Sequence, residues 1–206
     1  MTKKNIYKET LIIVASKHGQ TPIDPSKYGT VDPDAVTNAT KVDVLFQTVR
    51  CTHSLSTAYT DTRDQSDDIA LIFLKNHSDT QTAANNLAKD RDALKIDDII
   101  FGQRLISEGY GNPKTDTAVP DIIVRPQLGI IFTTTNASTK IAEHGGISVD
   151  DTHVACFVSN PMLKKAQFNQ LVSTRQVAPT ILSALGLDVK ALKGAQAEGT
   201  TVLDGF

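Results

Sequence analysis

Apolar and β-branched positions fall into short runs separated by longer polar segments. Residues 10–15 (TLIIVA) form an unbroken apolar run, a pattern typical of an interior strand covered on both faces of a sheet. Residues 68–74 (DIALIFL) form a second such run. The same reasoning predicts further strands at residues 55–59, 121–124, 129–133 and 153–159.

Helical spacing is clearest in two segments. Residues 79–94 carry Ala and Leu at helical intervals, with Asp79 or Thr80 as N-cap. Residues 174–185 have an apolar face, and Gly186 is well suited to end that helix. Pro179 either kinks the helix or places its start near Ala178. Shorter helices are predicted at residues 35–49 and 97–107.

The order of these elements predicts an α/β fold. We expect a central sheet built from residues 10–15, 121–124 and 153–159. Residues 20–119 contain both strands and helices and resemble an inserted α+β lobe more than a continuation of that sheet.

Composition excludes some classes of protein. The chain has 206 residues and a formal net charge of −2, so it offers no basic surface for nucleic acid. No apolar run approaches the roughly 20 residues that a membrane-spanning helix needs.

Two His-Gly pairs follow strand-like runs: His18-Gly19 and His144-Gly145. The small neighbour lets the backbone turn, and ligands of open α/β sheets bind just beyond the carboxyl ends of strands. Imidazole nitrogen suits zinc and similar metals. Each histidine taken alone also fits a polar surface turn.

Three segments follow one another along the chain: TLIIVASKHGQTP, AEHGGISVDDTHVACFVSNP and STRQVAPTILSALGLD. In this order they resemble the C-terminal half of the type I phosphodiesterase and nucleotide pyrophosphatase branch of the alkaline phosphatase superfamily. The resemblance implies an incomplete alkaline-phosphatase-like sheet with helices. It also implies metal-dependent hydrolysis of phosphate mono- or diesters, with a phosphate ester or nucleotide-like small molecule as substrate.

The resemblance implies that His18 and His144 each bind a divalent metal, for which zinc is expected. Lys17 stands where the family usually has Asp, and a protonated Lys has no lone pair to donate to a metal. Its ammonium is therefore a candidate catalytic group that replaces one metal as a fixed cation. The alternatives are a solvated turn residue or a trait of a subgroup.

Further candidates are weaker. Glu143, Asp150 and Asp151 fit either carboxylates that orient a ligand histidine or a solvated loop. Arg125 and Arg175 fit either a phosphate contact or ordinary surface arginines.

The family's nucleophile and its remaining ligands lie upstream of the first His-Gly motif. Only sixteen residues precede Lys17, and none matches them. We therefore expect this chain alone to be inactive, with an exposed apolar face that favours self-association. The alternative is a non-catalytic, truncated or degenerate relative that acts by binding. Full-length members of the family are often secreted.

Overall fold

The computed structural model describes residues 6–47, 68–133 and 141–206 and divides the chain into two compact units. Unit 1 comprises Met1–Gly19 and His153–Phe206, and unit 2 comprises Gln20–Thr152. Unit 2 begins where the inserted lobe was predicted to begin and also includes residues 120–152, so the lobe with its boundary at 119 stays a prediction. The strand predicted at residues 55–59 lies outside the described residues.

Unit 2 is built on a four-stranded antiparallel sheet. Its strand order is β4–β5–β7–β6, and the strands are β4 (Val44–Gln47), β5 (Ala70–Leu74), β6 (Ile96–Phe101) and β7 (Ile122–Pro126). Ile72 of β5 lies opposite Ile122 of β7, and Ile99 of β6 lies opposite Val124. The predicted strands at residues 68–74 and 121–124 are confirmed.

Both faces of this sheet are buried. On one face, α1 (Pro33–Ala39) and α2 (Thr80–Lys89) contribute Val36 and Leu87 to a cluster with Ile72. On the other face, Leu105 of α3 (Gln103–Ser107) packs with Ile123. This two-sided cover explains why β5 is apolar without alternation. The predicted helix over residues 79–94 is observed as α2, which ends five residues earlier than predicted.

The buried carboxylate of Asp121 connects the sheet to the start of α2. Asp121 is 1% exposed. Its Oδ2 accepts a hydrogen bond from the Leu74 backbone N–H at 2.8 Å, and its Oδ1 lies 2.6 Å from His77 Nδ1 and 3.3 Å from the donating Thr80 hydroxyl. A buried carboxylate is tolerated only with such partners. Asp121 therefore joins β5, the entry to β7 and the first turn of α2.

Two shorter strand pairings also lie in the described part of unit 2. β3 (Gly29–Val31) runs parallel to β8 (Ile130–Phe132), which confirms the strand predicted at residues 129–133. β2 (Thr21–Pro22) pairs antiparallel with β9 (Ala142–Glu143), and the short helix α4 (Val149–Thr152) follows.

The prediction of one helix over residues 97–107 is wrong in its first half. That half belongs to β6, and the helix α3 begins only after Gly102. Gly102 has φ of 59°, a left-handed conformation that favours glycine and separates the two elements. Arg104 of α3 donates to both carboxylate oxygens of Asp98 at 2.9 Å. Asp98, which the sequence pattern placed in a helix, is thus a strand residue whose charge is neutralised by the neighbouring helix.

The prediction of one helix over residues 35–49 is also only partly right. The helix α1 ends at Ala39, and the chain continues into β4. Lys41 lies between them at φ of 55°, in the left-handed region, which interrupts the helical path.

The described part of unit 1 contains one antiparallel pair, β1 (Ile12–Ala15) with β10 (Cys156–Ser159). Both strands were predicted, but their burial on both faces was not observed. Val14 and Phe157 lie directly opposite each other and are 57% and 66% exposed. The predicted central sheet is wrong to include residues 121–124, because β7 is hydrogen-bonded to β5 and β6 on its two edges and does not pair with β1 or β10.

The helix predicted near the C-terminus is α5 (Val177–Ala184), preceded by a 3₁₀ turn at Thr174–Gln176. Pro179 is its third residue, within the first turn, where a missing N–H leaves no hydrogen bond unmade. The predicted end at Gly186 is confirmed, with φ of 68° and a bond from Leu187 N–H to the Leu182 carbonyl at 2.9 Å, which is a Schellman motif. The helix α6 (Lys193–Ala197) follows. Across the described ranges, no helix has the length and apolar character needed to cross a membrane.

We predict that Asp121→Ala lowers the free energy of unfolding by about 3 kcal/mol, because the Leu74 backbone N–H of β5 and the side chains at the start of α2 lose their charged acceptor. Urea denaturation followed by circular dichroism measures the change. Asp92→Ala, at an exposed carboxylate between α2 and β6, is the matched control and should stay within about 0.5 kcal/mol of wild type. Equal effects of the two substitutions would contradict the role assigned to Asp121.

We also predict that the chain self-associates through the exposed face of β1 and β10, because an apolar sheet face beside strand edges that have no partner strand among the described residues favours pairing with another chain. Light scattering and binding of an apolar dye measure this association. Phe157→Lys should reduce both signals, whereas Leu171→Lys, at a fully exposed residue outside any strand, should change them little. A wild-type monomer at high concentration that binds no dye would refute the prediction.

Candidate functional site

The first His-Gly pair lies in unit 1, in the turn that follows β1. The Ser16 hydroxyl donates to the His18 carbonyl at 2.6 Å and so closes the turn around Lys17. Lys17 is exposed and His18 is half-buried. The strand end and the turn therefore lie where the sequence predicted them.

The hydrogen bond of the His18 ring identifies its tautomer. Nδ1 lies 2.7 Å from the carbonyl oxygen of Gly19, and a carbonyl oxygen only accepts, so Nδ1 carries the proton. In the neutral ring the lone pair is then on Nε2. This is the arrangement by which a backbone carbonyl typically fixes a metal-binding histidine.

The second pair lies in unit 2, directly after β9. Glu143 is 6% exposed, and its Oε1 accepts from the His144 backbone N–H at 3.0 Å while lying 3.4 Å from His144 Nδ1. The His144 side chain is 49% exposed. Glu143 therefore lies beside the His144 ring, in the position of a carboxylate that orients a metal-binding histidine.

A hydrogen-bonded chain holds the loop that follows His144. Thr21 of β2 and Ser148 join their hydroxyls at 2.7 Å, although 127 positions separate them, and the Ser148 hydroxyl donates to Asp151 Oδ2 at 2.8 Å. Thr21 also lies opposite Glu143 in the β2–β9 pairing. The loop is thus anchored on both sides of His144. The sequence suggested Asp151 but gave no signal for Thr21 or Ser148, because their contact depends on tertiary pairing.

Gly146 is required by close packing in this loop. A Cβ at Gly146 would lie 2.4 Å from Asp151 Oδ2 and 2.9 Å from Asp68 Cβ, closer than atoms approach in proteins. The second glycine of the EHGG motif therefore allows the backbone to pass over the Asp151 carboxylate.

The two arginine candidates are paired within their own units. Arg125 donates to Asp97 Oδ2 from Nε at 2.9 Å and from Nη2 at 2.6 Å, and Arg175 lies 3.3 Å from Glu198. These contacts favour the structural interpretation of both arginines over a phosphate contact.

No group of three or more His, Cys, Asp or Glu residues able to hold a metal ion occurs among residues 6–47, 68–133 and 141–206. Lys17 and His18 belong to unit 1 and His144 to unit 2. The assignment of His18 and His144 as metal ligands, and of Lys17 as a catalytic cation, stays a prediction. The local geometry of each histidine fits a single metal ligand.

The strands and helices define a mixed α/β, alkaline-phosphatase-like fold. Among solved structures, the chain is similar to human ectonucleotide pyrophosphatase/phosphodiesterase 5, with a TM-score of 0.57 and 13% sequence identity. The match covers 91% of this chain and 43% of that protein's chain, so this chain spans less than half of its length. At this identity the likeness shows the fold alone. No family model and no curated protein sequence matches the chain.

We predict that Gly146→Ala destabilises unit 2 by about 2 kcal/mol, because the new methyl group displaces the Asp151 carboxylate or the loop. Gly194→Ala is the control. Gly194 lies in α6 with open space around its Cβ direction, and alanine there should be neutral or stabilising by about 0.5 kcal/mol. Thermal unfolding measures both variants. A Gly146→Ala protein as stable as wild type would show that the loop accommodates the methyl group, and would contradict this prediction.

Proposed function

We propose that this chain contributes to a metal-dependent hydrolase of phosphate mono- or diesters. The observation that carries the proposal is the shared local geometry of two His-Gly pairs. Each follows a strand, and each histidine has an oxygen near Nδ1, the Gly19 carbonyl at 2.7 Å for His18 and the Glu143 carboxylate at 3.4 Å for His144. The motif resemblance and the alkaline-phosphatase-like fold support the same function.

His144 would supply one nitrogen to a tightly held divalent ion and His18 one nitrogen to a second, weakly held one, and zinc suits imidazole donors. The other ligands and a Thr or Ser nucleophile would come from polypeptide outside these residues. A divalent ion bound there would supply Lewis-acid stabilisation of the phosphoryl and leaving oxygens. The chain's own part is to orient the two rings, through the Gly19 carbonyl and the Glu143 carboxylate.

Lys17 distinguishes the subsite at His18 from that at His144. Replacing the family's Asp by Lys makes this subsite more positive by about two charge units, since Asp carries one negative charge and Lys one positive charge. A divalent ion is then disfavoured near His18, whereas the ammonium can offset negative charge on a phosphoryl oxygen. We propose one tightly held metal in the complete protein, nearer His144 than His18.

The substrate class follows from the same resemblance. The similar human protein is named a nucleotide pyrophosphatase/phosphodiesterase. A phosphate ester or nucleotide-like small molecule is accordingly the substrate class that we propose for this chain's assembled site.

A non-catalytic role is the second candidate. It is favoured by the absence of any group of three potential ligands among the described residues. A degenerate relative would keep the fold and bind neither zinc nor manganese tightly, so metal content separates the two functions.

The test compares hydrolysis of bis(p-nitrophenyl) phosphate by the full-length gene product and by residues 1–206 alone, each with zinc or manganese and with a chelator. We expect metal-dependent turnover of the full-length protein, with no appreciable turnover by the isolated chain. In the full-length protein, the His18→Ala, His144→Ala double variant should lose at least about 100-fold in turnover, because ligand loss removes metal catalysis.

Two further variants examine Lys17 in the full-length protein. Lys17→Ala should lower turnover without loss of the tight metal, and Lys17→Asp should raise the metal content toward two ions, as elemental analysis would show. Lys27→Ala, at an exposed lysine in unit 2, is the control. A full-length protein without tight metal or turnover would overturn the proposal in favour of the non-catalytic role. Two tight ions in the wild type would overturn the assignment of Lys17.

A further inference from the structure

Unit 2 contains an open cleft of about 180 Å³ between β2, the turn joining β7 to β8, and the loop that holds Gly146 and Asp151. Its walls are largely apolar, formed by Ile23, Leu128, Ile131 and Ile147. The acidic residues Asp68, Asp97 and Asp151 also line it, together with Arg125. All of these residues lie within one compact unit.

Asp151 is the unusual group in this cleft. It is 5% exposed, and its Oδ2 is bound by the Ser148 hydroxyl and backbone N–H. Its Oδ1 is buried without a hydrogen-bond partner among the described residues. A buried ionised oxygen without a donor is unfavourable by several kcal/mol. The geometry therefore calls for a donor at Oδ1.

The neighbouring hydroxyls cannot supply that donor. An ionised carboxylate only accepts, so the single Ser148 hydroxyl proton is directed to Asp151 Oδ2. Ser148 must then accept from Thr21, whose proton is used in turn. Both hydroxyl protons are committed, and neither reaches Oδ1.

The guanidinium in the cleft is also committed. Arg125 gives Nε and Nη2 to Asp97 Oδ2 and lies 3.8 Å from Asp98. Two carboxylates thus neutralise its positive charge, so the described lining of the cleft offers no unpaired cation to bind an anion. A cation that donates hydrogen bonds and carries an apolar body matches the remaining chemistry.

We propose that this cleft is a binding site for a small organic primary ammonium compound. The ammonium donates to Asp151 Oδ1, and the hydrocarbon body packs against Ile23, Ile131 and Ile147. An organic cation fits better than a metal ion, because no group of three metal-binding side chains occurs among the described residues. The site does not rest on the proposed hydrolase function, since it needs neither His18 nor His144.

Butylammonium chloride is the probe, titrated into isotopically labelled chain at neutral pH with a chelator present, and followed by amide chemical shifts. Saturable shifts are expected in residues 146–151 and in β2. The neutral analogue 1-butanol and the anion butyrate should bind at least about tenfold more weakly, a difference of about 1.4 kcal/mol. Equal binding of 1-butanol, or no saturable shift with butylammonium, would overturn the proposal.

Asp151→Asn tests the carboxylate and should weaken butylammonium at least about tenfold. Asp150→Asn makes the same change at the adjacent exposed residue and should leave the affinity unaltered. Equal losses in the two variants would indicate a general charge effect and would refute the site.

Leu128 provides a variant that does not depend on a buried position, since this wall residue is 59% exposed. Leu128→Arg places a tethered cation at the cleft and should weaken butylammonium several-fold relative to Leu128→Gln. If Asp151→Asn does not fold, this pair decides the proposal, and equal affinities in the two variants would count against it. Saturation of the same residues by Ca²⁺ without the chelator, in competition with butylammonium, would identify an inorganic cation site instead and overturn the assignment.

Discussion

The buried carboxylate of Asp121 is the constraint on which unit 2 depends. One oxygen holds the backbone at the end of β5, and the other receives His77 and Thr80 at the start of α2. The Asp121 backbone N–H also donates to Ile72 at 2.9 Å. A charge at 1% exposure is retained only where every partner is in place, so this residue fixes how the helix begins relative to the sheet. Negative charge near the first turn of a helix also interacts favourably with the helix dipole.

The buried sheet in turn gives the site its framework. Helices cover both faces of the sheet and hold β5 and β7 in place. Arg125 of β7 lines the cleft, so the sheet supports that part of the cleft wall. The loop after β9 is then positioned by Thr21, Ser148 and Asp151, which lie on separate elements. His144 projects from this anchored loop beside a buried glutamate. A rigid scaffold that carries chemistry on its loops is the usual division of labour in α/β proteins.

Unit 1 has a different balance. Its β1–β10 pair exposes Val14 and Phe157, although the sequence of β1 has the composition of an interior strand. A two-stranded sheet is marginal by itself and usually needs a further layer or further strands.

The sequence alone determined the features that depend on neighbouring residues. The apolar run of β5, the spacing of α2 and α5, the glycine that ends α5, and the His-Gly turns after β1 and β9 are local patterns, and the structure has them. The carboxylate next to His144 was likewise visible as a sequence neighbour. Local propensity and side-chain periodicity act over a few residues, which is the range that such patterns cover.

Other features were decided only by tertiary structure. Asp97 and Asp98 interrupt the apolar pattern expected of a strand in β6. In the structure, Arg125 and Arg104 from other elements neutralise them. The partners of β7 were chosen by hydrogen bonding on both its edges, and the contact of Thr21 with Ser148 spans 127 positions. Pairing energies of this kind belong to two distant segments at once. No single stretch of sequence records them, because each segment is compatible with several partners until the whole chain is packed.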